Sequence, residues 1–200
     1  MAAGCDNLSR MNITIRTRPL VPLPPAPRKY SAADIFFFAE AGLLDDAVKF
    51  ELFDGEIIPM SPKGNEHESM RLKIARWLRG SWANKFDSLQ EHTLTVDGDT
   101  LVEPDFILFR GGRKDFKNPL AGAEIHLVIE VADSSLRYDL TKKATKYAAF
   151  GVEEYWVVNA TTRETSIHRA PNKKGWAERL KVPAGKPLSP LCAPKASLKL

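Results

Sequence analysis

The chain has 200 residues and a mass of 22.3 kDa, the size of one domain with room for a substantial hydrophobic core. No run of residues approaches the roughly 18 consecutive apolar positions of a membrane-spanning helix. The N-terminus has no apolar run behind a basic start, so we expect no secretory signal. The two cysteines, Cys5 and Cys192, show no metal-ligand spacing, which makes a reducing cytoplasm the expected compartment.

Charge is unevenly distributed along the chain, although the net value is only +4. Residues 163–200 carry nine Lys and Arg against two acids, whereas residues 1–62 carry six basic and eight acidic residues. This asymmetry fits a polyanionic partner such as a nucleic acid. A basic segment that is merely solvated fits it equally well, so charge alone leaves both interpretations open.

The N-terminal part divides into an extension and the start of a folded unit. Residues 1–27 end in the proline-rich run PLVPLPPAP, which cannot pack as a helix. We therefore expect a flexible N-terminal extension over 1–27 and a single domain over 28–200. A capping-box-like start at Ser31 and a stop at Gly42 predict a short helix as the first element of that domain.

The middle of the chain alternates between strand and helix patterns. Asp54-Gly55 predicts a hairpin, and a longer helix is expected over 66–85, with an apolar stripe formed by Met70, Ile74, Trp77, Leu78 and Ser81. Residues 90–96 and 100–109 each predict a strand, and residues 124–131 predict a strand covered on both faces. A helix over about 139–150 follows. Three more strand patterns (EYWVVNA, TSIHRA and WAERLKV) precede a basic, proline-rich C-terminal segment.

Two of the predicted strands carry a carboxylate among apolar residues. Asp105 follows Pro104 within TLVEPDFILF, and Glu130 lies in the interior of residues 124–131. A buried carboxylate is costly unless it is paired or binds a metal. One such acid is often a structural ion pair, but two on neighbouring strands could meet at one cation. Hard oxygen ligands suit Mg²⁺ or Mn²⁺, and the Val131 carbonyl is well placed to add another ligand.

A lysine lies where the following helix should be apolar. Lys143 falls on the apolar face of the predicted helix, whereas Lys142 and Lys146 fall outside it. A lysine on a packed face must reach an acid or extend its ammonium to solvent. An ion pair with Asp139, four residues earlier, is one explanation. We favour a role in a site with the two strand acids, because these lie immediately upstream.

Two acids and a lysine on adjacent elements predict a metal-dependent phosphodiesterase. A metal held by Asp105 and Glu130 would polarise a phosphoryl oxygen and lower the pKa of a bound water. Lys143 would orient that water or stabilise the negative charge that develops in the transition state.

Residues near this triplet could also contribute to the site. Candidate phosphate ligands are Ser134, Ser135, Arg137 and Tyr138, although polar loop and cap residues are explained equally well without a ligand. His67 lies at the edge of the apolar stripe of the 66–85 helix, and its ring should point towards the sheet. A histidine at the core edge that bonds to backbone is the simpler interpretation of His67.

Several stretches of the chain carry a family resemblance, namely YSAADIFFFAEAGLL, ELFDGEIIPMSPKGNEHESM, EPDF, VIEVADSSLRYDLTKKATKYAAFGVEEYWVVN and CAPKASLKL. Over about residues 30–200 they resemble the Uma family of restriction-endonuclease-like proteins, part of the PD-(D/E)XK superfamily. The resemblance implies an α/β fold, with a restriction-endonuclease-like mixed β-sheet flanked by helices, and a divalent-metal nuclease site.

The resemblance also assigns roles to particular residues. The superfamily's proline–aspartate pair falls on Pro104 and Asp105, and its second acid falls on Glu130. The chain departs from the superfamily at position 132, which is alanine and not lysine. The family's lysine on the following helix matches Lys143, the residue that the helical pattern selects independently. Superfamily members often use another acid near the first helix, for which the candidates are Glu51, Glu66 and Glu68.

These observations together predict a Mg²⁺-dependent (or Mn²⁺-dependent) endonuclease that hydrolyses DNA. Basic faces would supply sequence-independent phosphate contacts, and analogy with such nucleases indicates a homodimer. The alternatives are a non-cleaving nucleic-acid-binding or regulatory module on the same fold, and a nuclease that acts on RNA. No stretch resembles a helix-turn-helix or zinc finger, so any specificity must lie in loops such as 111–122 or in a partner protein.

Overall fold

A computed structural model of the chain describes residues 29–45 and 48–200. The extension predicted over 1–27 lies outside the described residues. The described part contains a four-stranded, a six-stranded and a two-stranded sheet, with helices on both faces of the largest sheet. The predicted α/β fold, a mixed sheet flanked by helices, is confirmed.

The regular elements follow one another in a mixed α/β order. In chain order they are α1 (Ala32–Glu40), β1 (Phe50–Phe53), β2 (Glu56–Pro59), α2 (Asn65–Leu78), a 3₁₀ turn (Ser81–Lys85), β3 (Phe86–Gln90), β4 (Leu94–Asp97), β5 (Thr100–Val102), β6 (Phe106–Arg110), a 3₁₀ turn (Gly122–Glu124), β7 (Ile125–Ala132), α3 (Leu136–Tyr138), a π-helical segment (Asp139–Lys143), α4 (Ala144–Phe150), β8 (Glu154–Asn159), β9 (Thr165–Asn172), β10 (Gly175–Val182), β11 (Pro187–Leu188) and β12 (Leu198–Lys199).

The six-stranded sheet forms the centre of the molecule. Its strand order is β10-β9-β8-β7-β6-β3, and β7 and β8 are its parallel pair. Successive side chains of a strand point to opposite faces. Leu127 and Ile129 of β7 accordingly pack in the cluster that contains α2, while Val128 and Ala132 pack in the cluster that contains α4. Both faces of β7 are therefore covered, as the sequence predicts.

The four-stranded antiparallel sheet lies beside this layer, in the order β2-β1-β5-β4. Leu52 of β1 and Leu101 of β5 pack against α1, which begins at the predicted capping box of Ser31 and Asp34. Phe53 instead packs in the cluster that contains α4. The small sheet is thus held between α1 and the helical segment that precedes β8.

The helix predicted over 66–85 is too long. α2 ends at Leu78, and Gly80 separates it from the 3₁₀ turn. The indole Nε1 of Trp82 donates to the carbonyl oxygen of Trp77 at 3.0 Å. The same carbonyl accepts from the backbone N–H of Gly80 at 3.0 Å, so both bonds satisfy a carbonyl of the last helical turn.

Two strand predictions are also wrong in their limits. The segment over 100–109 is not one strand, because β5 belongs to the small sheet and β6 to the large one. Residues 103–105, with Pro104 among them, form the crossing between the sheets, so Asp105 immediately precedes β6 and does not lie inside a strand. The strand predicted over 90–96 is interrupted at Glu91, whose φ of 49° ends β3 before β4 begins.

The helical segment after β7 begins earlier than predicted and is irregular. A π-helical segment lies between α3 and α4, and the backbone N–H of Ala144 donates to the Asp139 carbonyl. Such segments occur frequently at functional sites. The segment ends at Gly151, with φ of 95°, as predicted.

The C-terminal segment is folded onto the domain and is not a solvated tail. Leu188, Leu198 and Leu200 are buried in the cluster that also contains α2, and β11 pairs with β12. Among the described residues no helix is long and apolar enough to cross a membrane.

Candidate active site

A cavity of about 390 Å³ opens where the small sheet, the start of α2 and the end of β7 meet. Four of the acids that line it are buried and come from separate elements of the chain: Glu51, Asp105, Glu130 and Asp139. All four are at most 4% exposed. Lys143 lines the same cavity and is 5% exposed. The structure therefore brings together the two acids and the lysine that the sequence singles out.

Lys143 lies among three carboxylates. Its Nζ is 2.7 Å from Glu51 Oε1, 3.0 Å from Glu130 Oε1 and 3.7 Å from Asp139 Oδ1. The helical pair with Asp139 that could explain this lysine exists, but it is the longest of the three contacts. Lys143 therefore lies closer to the acids of β1 and β7 than to the acid of its own helical segment.

Local structure explains why these side chains converge. Glu130 alternates with Val128 and Ala132 along β7, so its side chain points to the face that α4 covers. Glu51 likewise shares a face of β1 with Phe53, which packs in the same cluster. The Glu51 side chain is fixed further because its Oε1 accepts a hydrogen bond from the backbone N–H of Glu103 at 2.9 Å.

Burial shapes the protonation of this group. Burial raises the pKa of Glu130 to about 8, with further increases from the charges of nearby acids, although the ammonium of Lys143 acts to lower it. The hydroxyl of Tyr147 donates to Glu130 Oε1 at 3.0 Å. For Lys143 itself burial acts to lower the pKa, but the three surrounding carboxylates outweigh it and raise that pKa well above its usual value. Lys143 is consequently a permanent hydrogen-bond donor.

Asp105 occupies a second electrostatic environment in the same cavity. Its Oδ1 lies 3.2 Å from Lys63 Nζ and 3.3 Å from Arg71 Nε, and its Oδ2 accepts from the backbone N–H of Val131 at 2.8 Å. Burial acts to raise the pKa of Asp105, but the bonds from His67 and Val131 and the charge of Lys63 outweigh it and lower that pKa. Asp105 is thus ionised and held by cationic groups.

His67 lines the cavity, and within the described residues its ring makes no hydrogen bond to backbone. Its Nε2 lies 3.4 Å from Asp105 Oδ2, and its Nδ1 lies 3.2 Å from Glu68 Oε1. Burial acts to lower the pKa of His67, but the bond and charge of Asp105 raise it overall. The simpler interpretation of His67 as a histidine bonded to backbone is therefore wrong, since both ring nitrogens face carboxylates.

The candidate phosphate ligands separate into two groups. Ser134, Ser135 and Tyr138 line the cavity, whereas Arg137 is exposed and is not among the lining residues. Ser135 donates to Asp139 Oδ2 at 2.6 Å, so its hydroxyl is already used. The Tyr138 hydroxyl is buried and has no hydrogen-bond partner within the described residues. It is the one candidate ligand with a buried, unpaired group.

Among the three acids proposed for the first-helix position, only Glu51 lies in the cavity. Glu66 and Glu68 are exposed on α2. The sequence arguments missed Lys63 and Arg71. Arg71 could have been predicted from the sequence, because it follows His67 by four positions and therefore lies on the same side of α2. Lys63 lies in an irregular loop, where no periodicity could identify it.

Comparison with known proteins places the chain in a family. Residues 37–200 match the family described as Uma2, "Putative restriction endonuclease". The chain belongs to the Uma2 family. No curated protein gives a significant match. A solved structure, that of a "putative nuclease belonging to DUF820" from Anabaena variabilis, is similar over 80% of this chain and 92% of that one, with a TM-score of 0.64 and 16% identity.

At this identity the likeness to the Anabaena variabilis protein shows a shared fold. The predicted family and fold are therefore confirmed, and membership of Uma2 together with a nuclease-like fold supports a nuclease function. Restriction-endonuclease-like families such as Uma2 usually use divalent metals.

The cavity of this Uma2 protein has the donor chemistry for a divalent metal. Carboxylate oxygens are the ligands that Mg²⁺ and Mn²⁺ prefer, and the three acids around Lys143 together with Asp105 supply several such oxygens to the cavity. As the side chains lie, however, no three His, Cys, Asp or Glu residues within 29–45 and 48–200 are arranged as a metal-binding group. Lys143 lies against one oxygen of Glu130, and Lys63 and Arg71 lie against one oxygen of Asp105.

Proposed function

We propose that this Uma2 protein is a divalent-metal-dependent endonuclease that hydrolyses phosphodiester bonds of DNA. The placement of Lys143 carries the proposal. A buried ammonium lies 3.0 Å from Glu130 and 2.7 Å from Glu51, in a cavity that Asp105 also lines. A buried lysine with three carboxylates is costly for stability alone, which supports a chemical role.

Asp105 and Glu130, with the Val131 carbonyl, would hold Mg²⁺ or Mn²⁺. Bound there, the ion supplies polarisation of a phosphoryl oxygen and a lower pKa for a bound water. The N–H of Val131 donates to Asp105. Because the N–H and C=O groups of one strand residue point to the same side, this bond supports a Val131 carbonyl that faces Asp105.

Lys143 supplies a positive charge and does not act as a base, since its raised pKa keeps it protonated. In hydrolysis the oxygen of a water forms a bond to phosphorus while the bond from phosphorus to the leaving sugar oxygen breaks. The water loses a proton, and the leaving oxygen gains one. The Lys143 ammonium stabilises the negative charge that grows on the phosphoryl oxygens during this exchange.

The neighbouring side chains position this machinery. His67 and Arg71 orient Asp105 through contacts of 3.4 and 3.3 Å, and Glu51 holds Lys143 at the cavity. The unpaired Tyr138 hydroxyl and Ser134 are the proposed contacts to a substrate phosphate.

A polyanionic substrate such as DNA is supported by the surface that leads away from the cavity. α2 begins at the cavity and exposes Lys73 and Arg76, and the exposed Arg79 follows directly after its last residue. Such side chains contact phosphates without reading sequence. Two copies together would present one site to each strand of a duplex, so we further propose that two copies act together, which sedimentation of the protein with and without duplex DNA tests.

The test is cleavage of duplex DNA, single-stranded DNA and RNA, each with Mg²⁺, Mn²⁺ or EDTA. Wild type is compared with Asp105→Ala and with Glu178→Ala, which removes an exposed acid of β10. We expect cleavage of DNA that requires metal, survives in Glu178→Ala and is lost in Asp105→Ala. Cleavage of RNA in preference to DNA would show that the protein is a nuclease that acts on RNA. Binding of DNA without cleavage under any condition would favour the binding-module alternative.

A further inference from the structure

We infer that the Lys63 ammonium occupies a cation position at Asp105 and withdraws to Glu91 when a divalent metal binds there. The inference rests on the proposed function, because it concerns how the same cavity admits its metal. In this inference Lys63 sets the affinity of the cavity for the metal, and Glu91 accepts the Lys63 ammonium when the metal binds.

The contacts of Lys63 join two acids. Its Nζ lies 3.2 Å from Asp105 Oδ1 and also contacts Glu91 Oε1. Asp105 lines the cavity, whereas Glu91 is not among the lining residues. A short rotation of one flexible side chain can therefore move the ammonium from the cavity acid to the outer acid without leaving it unpaired.

Lys63 is the partner of Asp105 that can move most easily. It belongs to the irregular segment 60–64 between β2 and α2, it lines the cavity, and its side chain is 22% exposed. The N–H of Val131 is fixed in β7, and His67 is a buried residue of α2.

Arg71 touches the same Asp105 oxygen but is held more firmly. Its guanidinium lies over the Phe106 ring at 5.8 Å, contacts Glu68 at 3.2 Å, and is not among the residues that line the cavity. Arg71 Nη2 also lies 3.3 Å from Glu91 Oε2. Arg71 thereby anchors the acid that receives Lys63.

The backbone at Glu91 supports a fixed receiving position. Its φ of 49° places Glu91 in the left-handed region, which a residue with a β-carbon adopts uncommonly. Glu91 lies in the connection between β3 and β4, and its carboxylate contacts Lys63 and Arg71. Lys63 therefore competes with the metal for Asp105, and Glu91 weakens that competition.

The test is calorimetric titration of the metal-free protein with Mn²⁺, which reads affinity without reference to activity. Lys63→Met removes the competitor, so we expect its Kd to fall by about fivefold or more, the size of one partly buried charge contact. The control is Lys49→Met, which removes a lysine that pairs with the cavity residue Glu103 and makes no ion pair with Asp105 among the described residues. It should change the Kd by less than about twofold.

Glu91→Gln leaves Lys63 with Asp105 as its remaining partner, so Mn²⁺ binding should weaken by about threefold or more. Simple electrostatics would give the same sign, and the double variant separates the two explanations. If Glu91 acts through Lys63, most of the effect of Glu91→Gln disappears in the Lys63→Met background. If the two effects add, the inference is wrong.

Two further outcomes distinguish this inference from the proposed function. Mn²⁺ binding by wild type with an unchanged Kd in Lys63→Met overturns the role of Lys63 and leaves the metal site in place. Absence of Mn²⁺ binding in wild type and in all variants, each folded by circular dichroism, overturns both the inference and the metal dependence on which it rests.

Discussion

Lys143 Nζ donates to Glu130 Oε1 at 3.0 Å, although 13 positions separate the two residues in sequence. Both side chains are almost fully removed from water. An ion pair in such surroundings contributes little to stability beyond what apolar side chains would give, yet either charge without the other is strongly destabilising. This dependence makes each partner a sensitive probe of the site.

The first prediction concerns the stability of the metal-free protein. Lys143→Met leaves Glu51, Glu130 and Asp139 without their shared ammonium, and we expect the free energy of unfolding to fall by about 3 kcal/mol. Lys142→Met changes the adjacent, exposed lysine and should alter it by less than about 0.5 kcal/mol. Urea unfolding in EDTA measures both. Equal stability of the two variants would mean that the three acids are neutralised by protons and not by Lys143.

A pair of tyrosines separates support of Glu130 from general packing. The Tyr147 hydroxyl donates to Glu130 at 3.0 Å, whereas the Tyr155 hydroxyl donates to the Asp139 carbonyl at 3.2 Å. Each Tyr→Phe substitution should cost about 1 kcal/mol of stability. Only Tyr147→Phe should also slow cleavage, by about tenfold, because it alone removes one of the hydrogen bonds to Glu130. A cleavage rate that falls equally in both variants would contradict this role.

The pH dependence of stability should be influenced by His168, which is remote from the proposed chemistry. Burial lowers the pKa of His168, and its Nδ1 has no hydrogen-bond partner among the described residues. Below the ordinary histidine pKa of about 6.5 the unfolded chain therefore binds a proton that the folded chain resists. The stability that the neutral His168 contributes is fully present above that pH, and it is lost as the pH falls towards the lowered pKa of the folded state.

His168→Phe keeps a ring in contact with Tyr155 and Trp176 and removes the titrating group. We expect it to flatten the decline in unfolding free energy between about pH 6.5 and pH 5, measured by urea unfolding across that range. A variant with the same decline as wild type would show that other groups cause it.

Glu154 is a buried acid that should stabilise the fold and take no part in cleavage. It is fully buried, and it accepts hydrogen bonds from Trp156 Nε1 and Arg169 Nε at 2.8 Å and from Leu191 N at 2.6 Å. Glu154→Gln should cost about 2–4 kcal/mol in urea unfolding, since it leaves the Arg169 charge less well paired. Cleavage per folded molecule should stay at the wild-type value. A specific loss of cleavage would extend the site beyond the cavity.

Periodic patterns explain which parts of the site the sequence could predict. Glu130 is recognisable because β7 is apolar on both faces, so a carboxylate within it must be buried. Lys143 is recognisable because helical geometry places it among apolar neighbours, even though a π-helical segment interrupts the predicted regular helix. Both arguments need only the local repeat of the element.

The remaining features depend on tertiary pairing. Whether the chain around Pro104 continues one strand or passes between two sheets is decided by the partners of β5 and β6, so the position of Asp105 was misplaced. Glu51 lies in a four-residue strand, too short to establish a period. Lys63 and Glu91 lie in irregular segments, where side-chain contacts follow from the fold and not from spacing. The burial of the C-terminal leucines could not be predicted either, because the segment around them is rich in proline and basic residues.

The most direct measurement is the rate of duplex DNA cleavage in Mn²⁺ by Lys143→Met beside Lys142→Met. The two lysines are neighbours in one helical segment, and one is buried in the cavity while the other is exposed. We predict that Lys143→Met cleaves about 100-fold more slowly than wild type, and that Lys142→Met matches wild type. Wild-type cleavage by a folded Lys143→Met protein would show that the buried ammonium takes no part in the reaction.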